Sequence, residues 1–381
     1  MLISTESVSL LAKRISSGGE VFCSGLFLSA RWMVVSQLDH QGMQVIILPD
    51  RDSAEYCAAD LYHLIEGDRV YFLPDSGKNL ERSNYKSSLG VQRTSAIGKI
   101  LEYREGEQMI VVTYPSALEE IIPEKGKISG SLLKLVVGEE RSYEEIKEIL
   151  FSSGFERVDF VSEPGQFAVR GALIDIFSYS FNNPFRISFF GDEIESINIF
   201  DANTQLSKEK VDYVDIYPDL SSSEDGEGSM VTDILPEDTL VWLDSSDMYK
   251  DKSFFPELKK FRNIYMELPL SRQDEEVIRF NISPQPVFSK NFELLTEDIR
   301  NKIENGFRVR IYGEKQSQLE RLRSILSQNG GIFPEFVSGS NIHNGFIDND
   351  NKVCCYSDHE IFDRFHRVSI RRTVEKSEQL T

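Results

Sequence analysis

The sequence predicts an α/β protein in three parts. A mostly parallel sheet domain holds an inserted small α+β domain, and a further small α/β domain follows near the C-terminus. Three observations carry this. Strand and helix signals alternate through roughly the first 118 residues, which means a parallel sheet. From 167 to 201 the apolar residues instead alternate with period two, as antiparallel strands do. Beyond 291, helix and strand signals alternate again. A chain of 381 residues also exceeds one ordinary core, at about 150 residues per domain.

VFCSG at 21–25 is a short apolar strand, and Leu28 to Leu38 has helical spacing. MQVIILP at 43–49 and QMIVVTYP at 108–115 are near-continuous apolar runs, as strands buried on both faces require. Arg51 to Ile65 reads as helix and RVYFLP at 69–74 as strand. Ser142-x-x-Glu145 is a capping box for a helix that Gly154 ends. FAVRGALIDIFSYS at 167–180 and FRISFFGDEIESINIFD at 185–201 follow, joined by an Asn-Asn-Pro turn. Residues 219–251 hold ten Asp or Glu against one Lys, and TLVWLD at 239–244 returns to the buried-strand pattern. RVRIYG at 308–313 and VCCYS at 353–357 are strands around a helix from Glu314 to Gln328. Ser357-x-x-Glu360 is expected to cap a last helix carrying His359 and His366 on its surface. The expected boundaries are 1–122 and 216–285 for the sheet domain, 123–215 for the insert, 286–372 for the last domain and 373–381 for a linker.

The composition is globular, with 40% hydrophobic and 27% charged residues. A net charge of −20 makes the chain as a whole a poor binder of nucleic-acid backbone. The basic stretch Arg364, Arg367, Arg371, Arg372 and Lys376 reads as a helix end and linker. Four cysteines without C-x-x-C form neither a disulfide framework nor a zinc site. No apolar run reaches the length of a membrane span, and a cytoplasmic protein is expected.

Catalytic motifs are thin. A phosphate loop needs glycines, a Lys for the phosphates and a Ser or Thr for magnesium. After the first strand only Gly25 is in place, and no Gly-Lys-Ser/Thr occurs. The strand ending in Asp244 resembles a magnesium-binding strand, but Ser245 stands where a neighbouring Glu would be. Together these absences read as a nucleotide-hydrolase architecture that has lost its chemistry. The insert offers a surface instead. Strand alternation sets Phe167 and Val169 on one face and Ala168 and Arg170 on the other. Likewise Ile187 and Phe189 oppose Arg186, Ser188 and Phe190. If the two runs pair through the Asn182–Pro184 turn, Arg170, Arg186 and Phe190 share the outward side. An exposed aromatic with two arginines has the composition of an interface hot spot.

The segment EPGQFAVRGALIDIFSYSFNNPFRISFFGDEIESINIFD, from Glu163, resembles the transcription-repair coupling factors and, more loosely, the excision-repair protein UvrB. Both carry E-P-G-E-F-x-x-R-G-x-x-I-D-I-F followed by R-x-x-F-F-x-D-E-I-E-S-I-x-x-F-D. The order of units also agrees with the N-terminal region of the coupling factors, by pattern outside 142–206. The resemblance implies a UvrB-like fold that has lost the phosphate loop and the Asp-Glu pair. No aromatic-rich DNA-clamping hairpin stands between 78 and 125. It also implies a role: recruiting the damage-recognition protein UvrA to a stalled RNA polymerase. Arg170, Arg186 and Phe190 match the positions that contact UvrA, on a surface masked at rest by the family's own translocase region. That region, with its ATP and magnesium, and the contacts with RNA polymerase and DNA belong to domains this chain lacks. The chain is therefore expected to be an N-terminal fragment with no cofactor or catalytic residue of its own. The competing reading is an ATP-dependent helicase or translocase of the UvrB kind.

Overall fold

A computed structural model describes residues 5–364, except 39, 78–82, 125, 127, 129–131, 182, 224–227, 273–275 and 329–333. The expected linker 373–381, His366, Asn182 and the basic residues from Arg367 onward lie outside the described residues. The chain divides into two compact units. The described residues of Met1–Tyr71, Glu105–Pro115 and Pro236–Arg371 form one, and those of Phe72–Arg104 and Ser116–Leu235 the other. No described helix is long and apolar enough to cross a membrane.

The first unit opens with α1 (Thr5–Ser17), β1 (Val21–Ser24), α2 (Ala30–Gln37), β2 (Met43–Ile47), α3 (Arg51–Leu64) and β3 (Val70–Phe72). It gains β4 (Met109–Thr113) and, much later, β13 (Leu240–Leu243), β14 (Arg262–Tyr265) and β15 (Val277–Arg279). These seven strands form one sheet in the order β15-β1-β14-β13-β2-β4-β3. From β15 to β4 each neighbouring pair is parallel. β2, β4 and β13 are buried at every position, so their unbroken apolar runs cover both faces. Asp50 starts α3 by accepting the backbone N–H of Ser53 at 2.8 Å.

The same unit carries a second sheet. Its elements are β16 (Ile282–Pro284), α7 (Phe292–Glu304), β17 (Arg308–Gly313), α8 (Gln316–Gln328), β18 (Glu335–Ser338), β19 (Phe346–Asp348), β20 (Val353–Ser357) and α9 (Asp358–Ile361). The strand order is β16-β19-β20-β17-β18, with β17 parallel to both neighbours. One expectation fails here. α9 is a single turn, His359 is buried on it, and Ser357 makes no capping hydrogen bond. The Ser357 hydroxyl instead meets His359 Nδ1 at 2.6 Å, and Glu360 accepts the N–H of Gly345 at 2.6 Å. A neighbour in the same turn has taken the serine hydroxyl, and a residue fifteen positions back has taken the glutamate.

The second unit holds α4 (Ser83–Glu102), α5 (Pro115–Glu119), β5 (Leu133–Val136), α6 (Tyr143–Ser152), β6 (Glu156–Arg157), β7 (Gln166–Arg170), β8 (Leu173–Phe177), β9 (Phe185–Phe190), β10 (Glu193–Phe200), β11 (Ser207–Val211) and β12 (Tyr213–Ile216). Ser142 caps α6 through the N–H of Glu145. At its other end Gly154 sits at φ +80°, Gly154 N–H reaches Phe151 O and Phe155 N–H reaches Leu150 O, a Schellman termination. Buried Arg93 on α4 donates to the carbonyls of Ser221, Pro74, Ala117 and Glu120 at 2.7–3.1 Å, fixing the strand-free segments of the unit.

β6 to β11 form a six-stranded sheet in the order β11-β10-β9-β8-β7-β6, antiparallel except for β6 with β7. One face carries Phe167, Ile174, Ile176, Ile187 and Phe189 into the core with Ile146 and Leu150 of α6. This corrects the pairing expected from the sequence. The run 167–180 is two strands, not one, so the first does not pair with β9. Gly171, at φ +59°, folds the chain back between Arg170 and Leu173, and β8 lies between β7 and β9. The inward positions change from odd to even across this turn, Phe167 and Val169 before it and Ile174 and Ile176 after it, so a single continuous alternation could not describe the run.

Candidate partner-docking face

The register of the six-stranded sheet builds an outward surface. Ala168 faces Asp175 across β7–β8, and Asp175 faces Arg186 across β8–β9. One step along, Arg170 faces Leu173, which faces Ser188. Phe190 follows Ser188 by two positions on the same face and ends its strand opposite Glu193.

Asp175 organises this surface. It is charged yet buried, and it lies on the outward side of the sheet. Arg186 donates Nε to Asp175 Oδ1 at 2.7 Å and Nη2 to Oδ2 at 2.9 Å. Arg170 Nη2 also donates to Asp175 Oδ2. The hydrogen bond to Asp175 pushes the Arg186 guanidinium still further up from its ordinary range. Arg186 lies 4.4 Å over the ring of buried Phe200, and Arg170 lies 5.0 Å over Phe160. The side chains of Arg170 and Arg186 are 36% and 20% exposed, whereas Phe190 is 79% exposed. All three expected residues therefore lie on one face, but only Phe190 stands free. Arg186→Glu would set a carboxylate against buried Asp175, so it would disturb the fold as well as the surface. Asp175 and Phe160 are site residues that the sequence reading missed. The signal for Asp175 is an acid inside the apolar run Leu173–Phe177, at outward parity once the Gly171 turn is placed.

The other expected position, the crest of the seven-stranded sheet, is filled from within. β14 separates β1 from β13, so Gly25 and Asp244 leave the sheet one strand apart. Gly25 has φ +69°, and a Cβ there would lie 2.1 Å from the carbonyl oxygen of Phe280. This glycine admits backbone packing against Phe280. Asp244 is buried and ion-paired to Arg31 of α2, whose Nε also donates to Leu28 O at 3.2 Å. Ser245 takes the left-handed conformation at φ +52°, with its hydroxyl 3.3 Å from Asp244 Oδ1. Burial, reinforced by Asp244, raises the Glu267 carboxyl above its usual range.

Residues 133–221 match the family described as the UvrB interaction domain, and they include every residue of the outward face. This defines the second unit as a carrier of that domain. The chain is also 30% identical to the transcription-repair-coupling factor of Bacillus subtilis over 202 residues, 52% of this chain and 17% of that protein. It is 30% identical to the Mycobacterium bovis counterpart over 191 residues, 48% of this chain and 15% of that protein. For the Escherichia coli counterpart the figures are 32% over 110 residues, 29% of this chain and 10% of that protein. The chain is thus related to the N-terminal region of the transcription-repair-coupling factors, and its matched part spans less than a fifth of each of these relatives.

Proposed function

We propose that the chain is a binding module that recruits UvrA in transcription-coupled repair, and that the outward face of β7–β9 is the docking surface. The observation that carries this reading is Phe190, a large apolar side chain left 79% exposed beside two arginines gathered on one aspartate. Exposed aromatics next to arginine are what interfaces bury at their energetic centres. The UvrB interaction domain match and the relatives' role in coupling repair to transcription support the choice of partner. Contacts with RNA polymerase, DNA translocation and masking of the face at rest belong to the longer family proteins in this reading. The crest of the first unit takes no part in nucleotide chemistry, because Arg31 already neutralises Asp244.

Calorimetric titration of UvrA into the chain tests this. Arg170→Ala should weaken binding by at least about 2 kcal/mol, the size of a hot-spot truncation. The same instrument should register no saturable binding of millimolar ATP with magnesium. Unchanged UvrA affinity in the Arg170→Ala/Phe190→Ala double variant would move the docking face elsewhere, with the acidic turn Asp192–Glu195 as the next candidate. Magnesium-dependent ATP binding would favour the helicase reading.

A further inference from the structure

Resting on that docking reading, we infer that Asp175 is a positioning residue for the face, and that the group it prepares the face to receive is a carboxylate on the partner. Asp175 cannot itself be touched by a partner, since its side chain has no exposed surface. It acts through the arginines. Three N–H groups from two guanidiniums converge on its two oxygens. One negative charge is thereby shared between two positive ones, and the face keeps an excess of one positive charge at this point.

The two arginines are left in different states. Arg186 is held on both sides: two donors on Asp175, its plane on Phe200, and Nη1 3.5 Å from Gln205 O. Arg170 has a single donor on Asp175 and its plane on Phe160. Its Nε is buried with no hydrogen-bond partner, and no described residue accepts from its Nη1. Arginine forks match carboxylates in plane and spacing. An incoming carboxylate would meet the surplus charge and the Nη1 end of Arg170, while the buried Nε stays out of its reach. Phe160 limits where that guanidinium can lie, so Asp175 and Phe160 together set its direction.

Asp175→Asn separates this account from a purely electrostatic one by the sign of its effect. The substitution adds one positive charge to the face. If charge alone governed binding to an acidic partner, UvrA would bind more tightly, most of all at low salt. Positioning predicts the opposite: roughly ten-fold weaker binding or more, as for loss of one charge-assisted hydrogen bond. Nitrogen-detected NMR of the arginine Nε–H groups in the free chain reads the positioning without any partner. Distinct, slowly exchanging Arg170 and Arg186 signals should merge toward those of solvent-exposed arginines in Asp175→Asn. Their retention would overturn the inference even if UvrA docks. Absence of UvrA binding by the unaltered chain would instead sink the docking reading, and with it the partner carboxylate. If Asp175→Asn fails to fold, Arg170→Lys serves. It keeps the charge but lacks the fork, and wild-type affinity in that variant would contradict the inference.

Discussion

Both units of this chain set a guanidinium on a buried aspartate, and the two arrangements do opposite things. On the crest of the seven-stranded sheet, Arg31 meets Asp244 one to one, with side chains only 18% and 5% exposed. The two form a single ion pair largely closed to solvent, with the Glu267 carboxyl within electrostatic reach of both. On the outward face of the six-stranded sheet, Arg170 and Arg186 share Asp175 two to one. The aspartate is equally buried, but a positive charge is left over and one arginine is more than a third exposed. The difference teaches how to separate an ion pair that closes a surface from one that prepares it. The count of charges and the exposure of the basic partner decide, whereas burial of the acid does not.

The comparison breaks most sharply at Arg31. Removing it strands Asp244 in the interior, so Arg31→Ala should cost about 3–5 kcal/mol of stability, the usual penalty for halving a buried pair. Urea unfolding followed by tryptophan fluorescence would measure it. A loss under 1 kcal/mol would mean that water reaches Asp244 freely.

Asp60 sharpens the contrast, because it is a buried aspartate whose hydrogen bonds come from Ser29 at 2.5 Å and the N–H of His343 at 2.7 Å, while the Arg31 charge acts on it without an ion pair and only partly offsets burial. Burial raises its carboxyl to about 7. The folded state then holds a proton that the unfolded chain releases at its ordinary carboxylate value. This contribution to stability is complete at low pH and is lost as pH rises through about 7, with a slope of at most about 1.4 kcal/mol per pH unit. Asp60→Asn should flatten that part of the stability profile, and an unchanged slope from pH 5 to 7.5 would discount the raised value.

Arg170→Ala is the mild counterpart of Arg31→Ala. Asp175 keeps its two-point grip from Arg186, and Arg170 is partly solvated, so the stability loss should stay near or below about 1 kcal/mol. A loss as large as that of Arg31→Ala would show that both pairs close their surfaces and would erase the distinction.

What could be read from the sequence follows the reach of each signal. β2, β4 and β13 were legible because a strand buried on both faces writes itself as a local apolar run. The common outward parity of Arg170, Arg186 and Phe190 was legible for the same reason, since alternation needs only near neighbours. The partnership with Asp175 was not, because it depends on cross-strand register set by one glycine at Gly171. β14 and β15 are only four and three residues long, too short for a periodic signal. His359 was misplaced because the helix is a single turn and the ring stacks on His343, sixteen residues back in the chain, which no local helix pattern reports. At the crest the pairing of Arg31 with Asp244, 213 residues apart, was a tertiary fact that no local signal carries.

If the outward face docks UvrA, as proposed, while the interior holds the fold, Phe190→Ala is the substitution that separates the two. UvrA affinity by calorimetry and thermal unfolding would be measured on the same preparation. Binding should weaken by at least about 2 kcal/mol, roughly thirty-fold, with stability unchanged within about 0.5 kcal/mol. UvrA binding equal to that of the unaltered chain, with the fold intact, would contradict it.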